Sequence, residues 1–311
     1  MPQTTRSVLM IRPAHFRSNP ETAPSNAFQH LEAVPDRVAH AAAILEFTRV
    51  VSALTEAGID VRVFDDAPVP IRPDAIFPNN WFTTHDDGTV VLYPMHAPSR
   101  RAEVRRDVIA ELATGGFTVR RVVDLTGHAE PGLALEGTGS MVLDRVNRVA
   151  YACLSARTHR AVLDEFCSEV GFEPCVFSAL DRRGIPIYHT NVQMWIGTRA
   201  AAVCLDAIID RAEREAVRRG LAAGDRTVIE LSHDQVAAFA GNALELQAGD
   251  GSPVIAMSAQ ASAALNVSQR ETLKGYARIV DADIATIERC SGGSVRCMLA
   301  EIFLPREQAR E

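Results

Sequence analysis

Close to the end of the chain stands GGSVRCMLAEIFLP, Gly292 to Pro305. A glycine doublet, then a cysteine inside an apolar run with Arg296 beside it, brings together the parts of a nucleophile. The thiol gains a neighbouring cation, and the glycines let backbone and ligand come close. The plainer expectation is a turn followed by a buried strand from Val295 to Leu304. Cys297 would then share an apolar face with Val295 and Leu299, and Arg296 would point the other way. A nucleophilic cysteine also needs a base and charge-stabilising partners. His189 in IPIYHTNVQMWIG sits between two apolar runs, where a charged group is costly. Glu136 in LALEGTGSMVL has the same anomaly, and Asp74, Asn79 and Asn80 in DAIFPNNWF surround apolar positions with polar groups. Each fits a hydrogen-bonded core residue when taken alone. Together they form a set of polar side chains at strand ends. Cys153, Cys167, Cys175 and Cys204 lie in apolar runs and read as packing residues, and Cys290 reads as structural.

The elements that must position this set alternate along the chain. SVLMIRP (7–13) reads as a strand, 37–57 as a helix with Ile44, Phe47, Val51 and Leu54 on one stripe, and IDVRVF (59–64) as a strand. A hairpin follows at Asp87-Gly88, then a helix over SRRAEVRRDVIAEL (99–112) and a strand in FTVRRVVDL. Another hairpin, about Arg145 to Asn147, precedes the helix of ARTHRAVLDEFCSEVG and the strand EPCVFSAL. The order restarts at VQMWIGTRAAAVCL. The unit is hairpin, helix, strand, with a period of about 55 to 65 residues, which argues for repeated α/β units about an axis. No low-complexity linker divides the chain, so a single catalytic domain over 1–311 is expected. The polar stretch 13–35 holds four prolines, and loops of that length tend to be binding loops or lids.

Bulk properties exclude several classes. A formal charge of −7 disfavours a nucleic-acid surface. No apolar run approaches the roughly 18 residues of a membrane span, and the N-terminus lacks a signal peptide's features. Six cysteines without a CxxC pair suit a reducing, cytoplasmic compartment, and no zinc-like spacing occurs. No metal or organic cofactor is expected, and a homo-oligomer is left open.

The motifs also resemble a known superfamily, the guanidino-group-modifying penteins. GGSVRCM looks like the nucleophile segment of arginine deiminases. HAPSRRAEV and ACLSARTHRAVLDEF resemble dimethylargininase segments. LEGTGSMVLD is similar to the family's catalytic-glutamate strand, and YHTNVQM to its catalytic-histidine strand. The matches come in the family's order over roughly residues 70 to 300. RPAHFRSNPETAPSNAFQ resembles a bacterial subgroup associated with citrulline utilisation. The resemblance implies a five-bladed α/β propeller with pseudo-fivefold symmetry. It implies Cys297 as nucleophile, His189 as general acid/base, and Glu136 as a substrate-binding carboxylate that supports the histidine. Asp74 would lie near the substrate's α-amino group and Arg157 would bind its carboxylate. A second such arginine would fall near Tyr93.

The chain departs from the family at Asn80, where an acidic clamp is common and Asn79 precedes it, and at Asn191, where deiminases have His-x-Asp. An amide can both donate to and accept from a neutral ureido group. The expected activity is therefore a cysteine-dependent hydrolase of a C–N bond in a small ureido or guanidino amino acid, with citrulline to ornithine first. Arginine or methylarginine deimination is second and an amidinotransferase third. A non-catalytic pentein-like binding protein is the alternative from another class.

Overall fold

Four of the five sheets in this computed structural model are built from a hairpin, a helical connection and a parallel third strand, and in the fifth the two ends of the chain pair in place of the hairpin; residues 1–31 and 35–306 are described. Among them, fifteen strands form five three-stranded sheets. Phe82–Thr84, Thr89–Leu92 and Arg121–Asp124 make one, with Thr83 opposite Val91 across the hairpin. Met141–Asp144, Val149–Cys153 and Glu173–Phe177 make the next, with the helix Arg160–Val170 before the parallel strand. Met194–Ile196, Ala200–Val203 and Thr227–Glu230 repeat it around the helix Arg211–Ala222. Leu244–Gln247, Pro253–Ser258 and Arg278–Ala282 form the fourth. The last sheet joins the two ends of the chain: Ser7–Arg12 pairs antiparallel with Ala300–Ile302 and parallel with Asp60–Asp65. Parallel partners require a crossover, and the helices supply it while covering the sheets.

The apolar clusters lie between neighbouring units. Val162, Leu163 and Phe166 of one helix pack with Val91, Leu143 and Ala150 from two different sheets. The helix Asp36–Glu56 buries Ala39, Ala43, Phe47, Val50 and Leu54, while Ile44 and Val51 fall at the edge of that face. At 21 residues it is long and apolar enough to span a membrane, contrary to the expectation that no segment is; here it packs as a core helix against Ile284, Ile287 and Val254.

Two further expectations change. The helix over 99–112 is broken into Pro98–Arg101 and Arg106–Thr114. One continuous helix would keep Arg100, Glu103 and Asp107 on a single face. Arg100 and Glu103 are buried and Asp107 is exposed, so the break turns the first two inward. Likewise Val295–Leu304 is not one strand. Val295–Met298 is a 3₁₀ turn, and only Ala300–Ile302 is extended. Arg296 drives this, donating to Leu299 O at 2.8 Å and pairing with Glu301 at 2.8 Å, which folds the segment back on itself.

Candidate active site

The site residues come from the short turns that feed the first strand of successive sheets. Asn80 ends the 3₁₀ turn Pro78–Asn80. Glu136 stands just before the helical turn Gly137–Ser140, His189 just before Thr190–Val192, and Cys297 within Val295–Met298. Glycines make the close packing of these turns feasible. A Cβ on Gly139 would lie 2.3 Å from Asn80 Nδ2 and 2.7 Å from the His189 ring. The doublet at 292–293 has a similar purpose. Gly292, at φ +68°, lets Asn26 and Gln29 of the 13–35 stretch approach to distances no side chain would allow, and Gly293 faces the Phe77 ring.

Glu136 is fully buried and its carboxylate is shared among four donors. His189 Nε2 bonds Oε2 at 2.8 Å, the His96 N–H donates to Oε1 at 3.0 Å, and Arg100 and Arg157 reach Oε2 at 3.4 and 3.6 Å. Burial alone would raise this carboxyl. Arg157, the His189 hydrogen bond and Arg100 outweigh burial and hold it well below the usual carboxylate range. Burial pushes His189 down to about 4, against the pull of Glu136, so the resting imidazole is neutral and can accept a proton.

Asp74 accepts from Asn19 Nδ2 at 2.8 Å and lies 3.7 Å from Arg100. Arg100 also donates to Asn80 Oδ1 at 3.1 Å and to both oxygens of Glu103. These carboxylates outweigh its burial and keep it charged. Arg157 lies over the Tyr188 ring, 4.8 Å from its centroid, and donates to Ser25 Oγ and to Thr22 O. Asn26 Nδ2 donates to Ser291 O at 2.8 Å, so the 13–35 stretch is fastened across the site at both sides. Residues 32–34 of that stretch lie outside the described residues.

Asp74, Asn80, Arg100, Arg157, His189 and Cys297 line one cavity with Thr22, Asn26 and Tyr188. Its free volume, about 20 Å³, is that of a single water. A wider cleft, about 600 Å³, is lined by Phe28 and contains none of Cys297, His189 and Glu136. Asn79 and Asn191 do not line the small cavity. The Asn79 side chain is buried without a protein partner, and Asn191 Nδ2 instead points to Cys297 Sγ at 3.6 Å. Tyr93 is fully buried with its hydroxyl on Thr83, so the second arginine of the site is Arg100. Sequence reasoning missed Arg100, although the Arg100/Glu103 spacing beside His96 carried the signal. It also missed Asn242, whose Nδ2 lies 3.3 Å from Cys297 Sγ. Among the described residues, no group of three His, Cys, Asp or Glu side chains is placed to hold a metal ion.

With this geometry in place, the family described as N,N dimethylarginine dimethylhydrolase, eukaryotic, matches the chain over residues 12–304. Among solved structures, the apo arginine dihydrolase ArgZ of the cyanobacterial ornithine–ammonia cycle superimposes with a TM-score of 0.73 at 18% identity. The match covers 96% of this chain and 41% of that one. The substrate-bound N-terminal domain of ArgZ is covered over 99% of its length, at 18% identity and a TM-score of 0.72. A dimethylarginine dimethylaminohydrolase adduct with S-methyl-L-thiocitrulline matches at 16% identity and 0.64, over 96% of this chain and 99% of that one. The chain thus spans about two-fifths of full-length ArgZ and nearly all of its N-terminal domain. At these identities the superpositions establish a shared mixed α/β fold. No curated protein matches the chain.

Proposed function

Because the chain belongs to the dimethylarginine dimethylhydrolase family of carbon–nitrogen hydrolases, we propose that it hydrolyses citrulline to ornithine through a covalent adduct on Cys297. The observation that carries the citrulline reading is the occupancy of the carboxylates at the cavity. Asp74 is engaged by Asn19 and Arg100, and Glu136 by His189, Arg100 and Arg157. Both are already shared with arginine, so neither offers a cationic tail an undivided counter-charge, and two guanidiniums already stand beside the cavity. A cationic substrate tail would be desolvated there without a counter-charge of its own, whereas a neutral ureido group meets amide and arginine donors.

In the proposed reaction the Cys297 thiol gives its proton to neutral His189 and the sulfur attacks the ureido carbon. The bond to Nδ breaks, and ornithine leaves after His189 returns the proton. Water, deprotonated by His189, then attacks the S-carbamoyl carbon. Thiolate is expelled and carbamate departs, to break down to carbon dioxide and ammonia. Glu136 holds the imidazole and offsets its transient positive charge. We further assign 13–35 as a lid within a single catalytic domain over 1–311, and the five sheets as blades about the site. A cavity the size of one water requires the lid to open, and clefts of about 600 and 550 Å³ on either side of residues 27–30 leave room for it to swing. The substrate carboxylate would then take the donors of Arg157 that Ser25 and Thr22 now hold. Six free cysteines fit a cytoplasmic setting.

Arginine is the second reading, favoured by AgrE, a relative of this fold solved with L-arginine at 17% identity and a TM-score of 0.74, over 97% of this chain and 41% of that one. Product analysis of the purified protein with citrulline, arginine, methylarginines and agmatine decides between them. Ornithine from citrulline, with arginine a poor substrate, is the expected result. A higher kcat/KM on arginine reverses the order.

A further inference from the structure

Four sheets deliver site residues from the segment that feeds their first strand: Asn80 before Phe82–Thr84, Glu136 before Met141–Asp144, His189 before Met194–Ile196, and Cys297 before Ala300–Ile302. The remaining sheet begins at Leu244, and the residue in the matching place is Asn242. Asn242 is fully buried. Its Nδ2 donates to Asn191 O at 2.9 Å and to Cys297 Sγ at 3.3 Å, and Asn191 Nδ2 approaches the same sulfur at 3.6 Å. The bond to a backbone carbonyl fixes which end of the Asn242 amide faces inward, since only N–H can pair with it. Gly241 brings the two segments together. A Cβ there would lie 2.3 Å from Val192 O and 2.6 Å from the Gln193 backbone.

The cation next to Cys297 in sequence does not serve the sulfur. Arg296 is spent on Leu299 O and Glu301. We propose that Asn242 and Asn191 form a two-donor amide cradle for negative charge on Cys297, with Asn242 the positioning residue that holds both amides in place. The proposal rests on Cys297 being the nucleophile. The cradle acts twice: when the thiol loses its proton to His189 and its electron pair forms the S–C bond, and when water's oxygen bonds to that carbon and the C–S pair returns to sulfur. Both moments leave charge on an atom whose neighbours are neutral donors, and hydrogen bonds to a charged acceptor are the stronger kind.

The test uses alkylation, not turnover. Iodoacetamide modification of Cys297 waits on the same opening of 13–35 in every variant. The modification is followed by mass mapping across roughly pH 6 to 10, without substrate, in wild type, Asn242→Asp and Asn242→Ala, and each profile is scaled to its own plateau so that the midpoint alone is compared. His189, Tyr188, Asp74, Arg100 and Arg157 face the same cavity, Glu136 stands behind His189, and Glu288 bonds Ser294 beside the cysteine turn. All are common to the three proteins, so a difference between them reports the amide. The midpoint should rise by about one unit in Asn242→Ala, which is about tenfold less thiolate at pH 7, and by at least as much in the isosteric Asn242→Asp. An unmoved midpoint in Asn242→Ala overturns the proposal. A rise in the Asp variant alone also overturns it, because that is carboxylate repulsion rather than a lost donor. Should the Ala variant fail to fold, Asn242→Ser carries the same expectation, its hydroxyl being too short to reach the sulfur. Failure of citrulline as substrate leaves this experiment untouched. Unmoved alkylation alongside citrulline turnover would sink the cradle and keep the activity.

Discussion

The two halves of the site solve the burial of charge differently. On the acid–base side, Glu136, Arg100, Arg157, Glu103 and Asp74 form a buried ionic network in which each group has a partner of opposite sign. On the sulfur side the neighbours are two neutral amides, and the nearby Arg296–Glu301 pair is closed on itself. The ionic half is fixed before substrate arrives. The amide half gains its full strength only when charge appears on sulfur. In the proposed reaction one side would therefore set geometry and protonation, and the other would be matched to a state that forms only as the sulfur takes on charge.

The largest expected break comes from the sulfur side. Cys297→Ala should abolish turnover while the melting temperature stays near wild type, because only one sulfur atom is lost from the buried lining of the cavity. Turnover above a few per cent of wild type would unseat the nucleophile. On the ionic side, Glu136→Gln should lower kcat by about 10² to 10⁴. It should also cost about 3–5 kcal/mol of stability, since Arg157 and Arg100 lose a buried counter-charge. Chemical denaturation read beside kinetics checks both, and wild-type values in either would mean the network is not coupled through Glu136.

His189 adds a pH signature. Its value of about 4 lies below the ordinary 6.5. Between those two points the unfolded chain binds a proton that the folded chain refuses. Its contribution to stability is therefore full above pH 6.5 and is lost as pH falls toward 4. The stability gap between wild type and His189→Gln should shrink over that window, and a constant gap would contradict the neutral resting imidazole.

Arg157→Ala should raise KM for citrulline by about 10- to 100-fold, the loss of a charge-assisted bidentate contact, with a much smaller effect on carbamoylputrescine, the neutral analogue of citrulline that has no carboxylate. Equal losses on both would make the arginine a fastener of 13–35 only. The smallest change is expected from Asn80→Asp, a several-fold shift in kcat/KM toward arginine, because the added carboxylate is shared with Arg100 at 3.1 Å. No shift would place selectivity elsewhere in the cavity.

The architecture was largely readable because hydrophobic period and turn residues agree with it. Asp87-Gly88 and 145–147 are hairpin turns, and the hairpin–helix–strand order recurs in four of the five sheets, the fifth being closed by the two chain ends. Glu136, His189, Cys297, Asp74, Asn80 and Arg157 were legible as polar residues in apolar settings or as family matches, and they converge. Arg100 was not, because an arginine in SRRAEV looks like a solvated helix face until the helix breaks and turns it inward. Asn242 in AGNALELQ looks like a turn residue, and only the spatial repeat of five feeding segments marks it. The run at 295–304 misled for a local reason: its apolar composition suits a strand, while the Arg296 hydrogen bonds impose a turn.

The fastening of residues 22–26 over the cavity has a bearing on redox exposure. The closed site has room for about one water molecule, so the sulfur is screened from glutathione disulfide while residues 22–26 stay fastened. Formation of a mixed disulfide on Cys297 should therefore proceed no faster than Arg157 releases Ser25 and Thr22, and a bound amino acid that holds those residues down would shield the thiol from bulky oxidants.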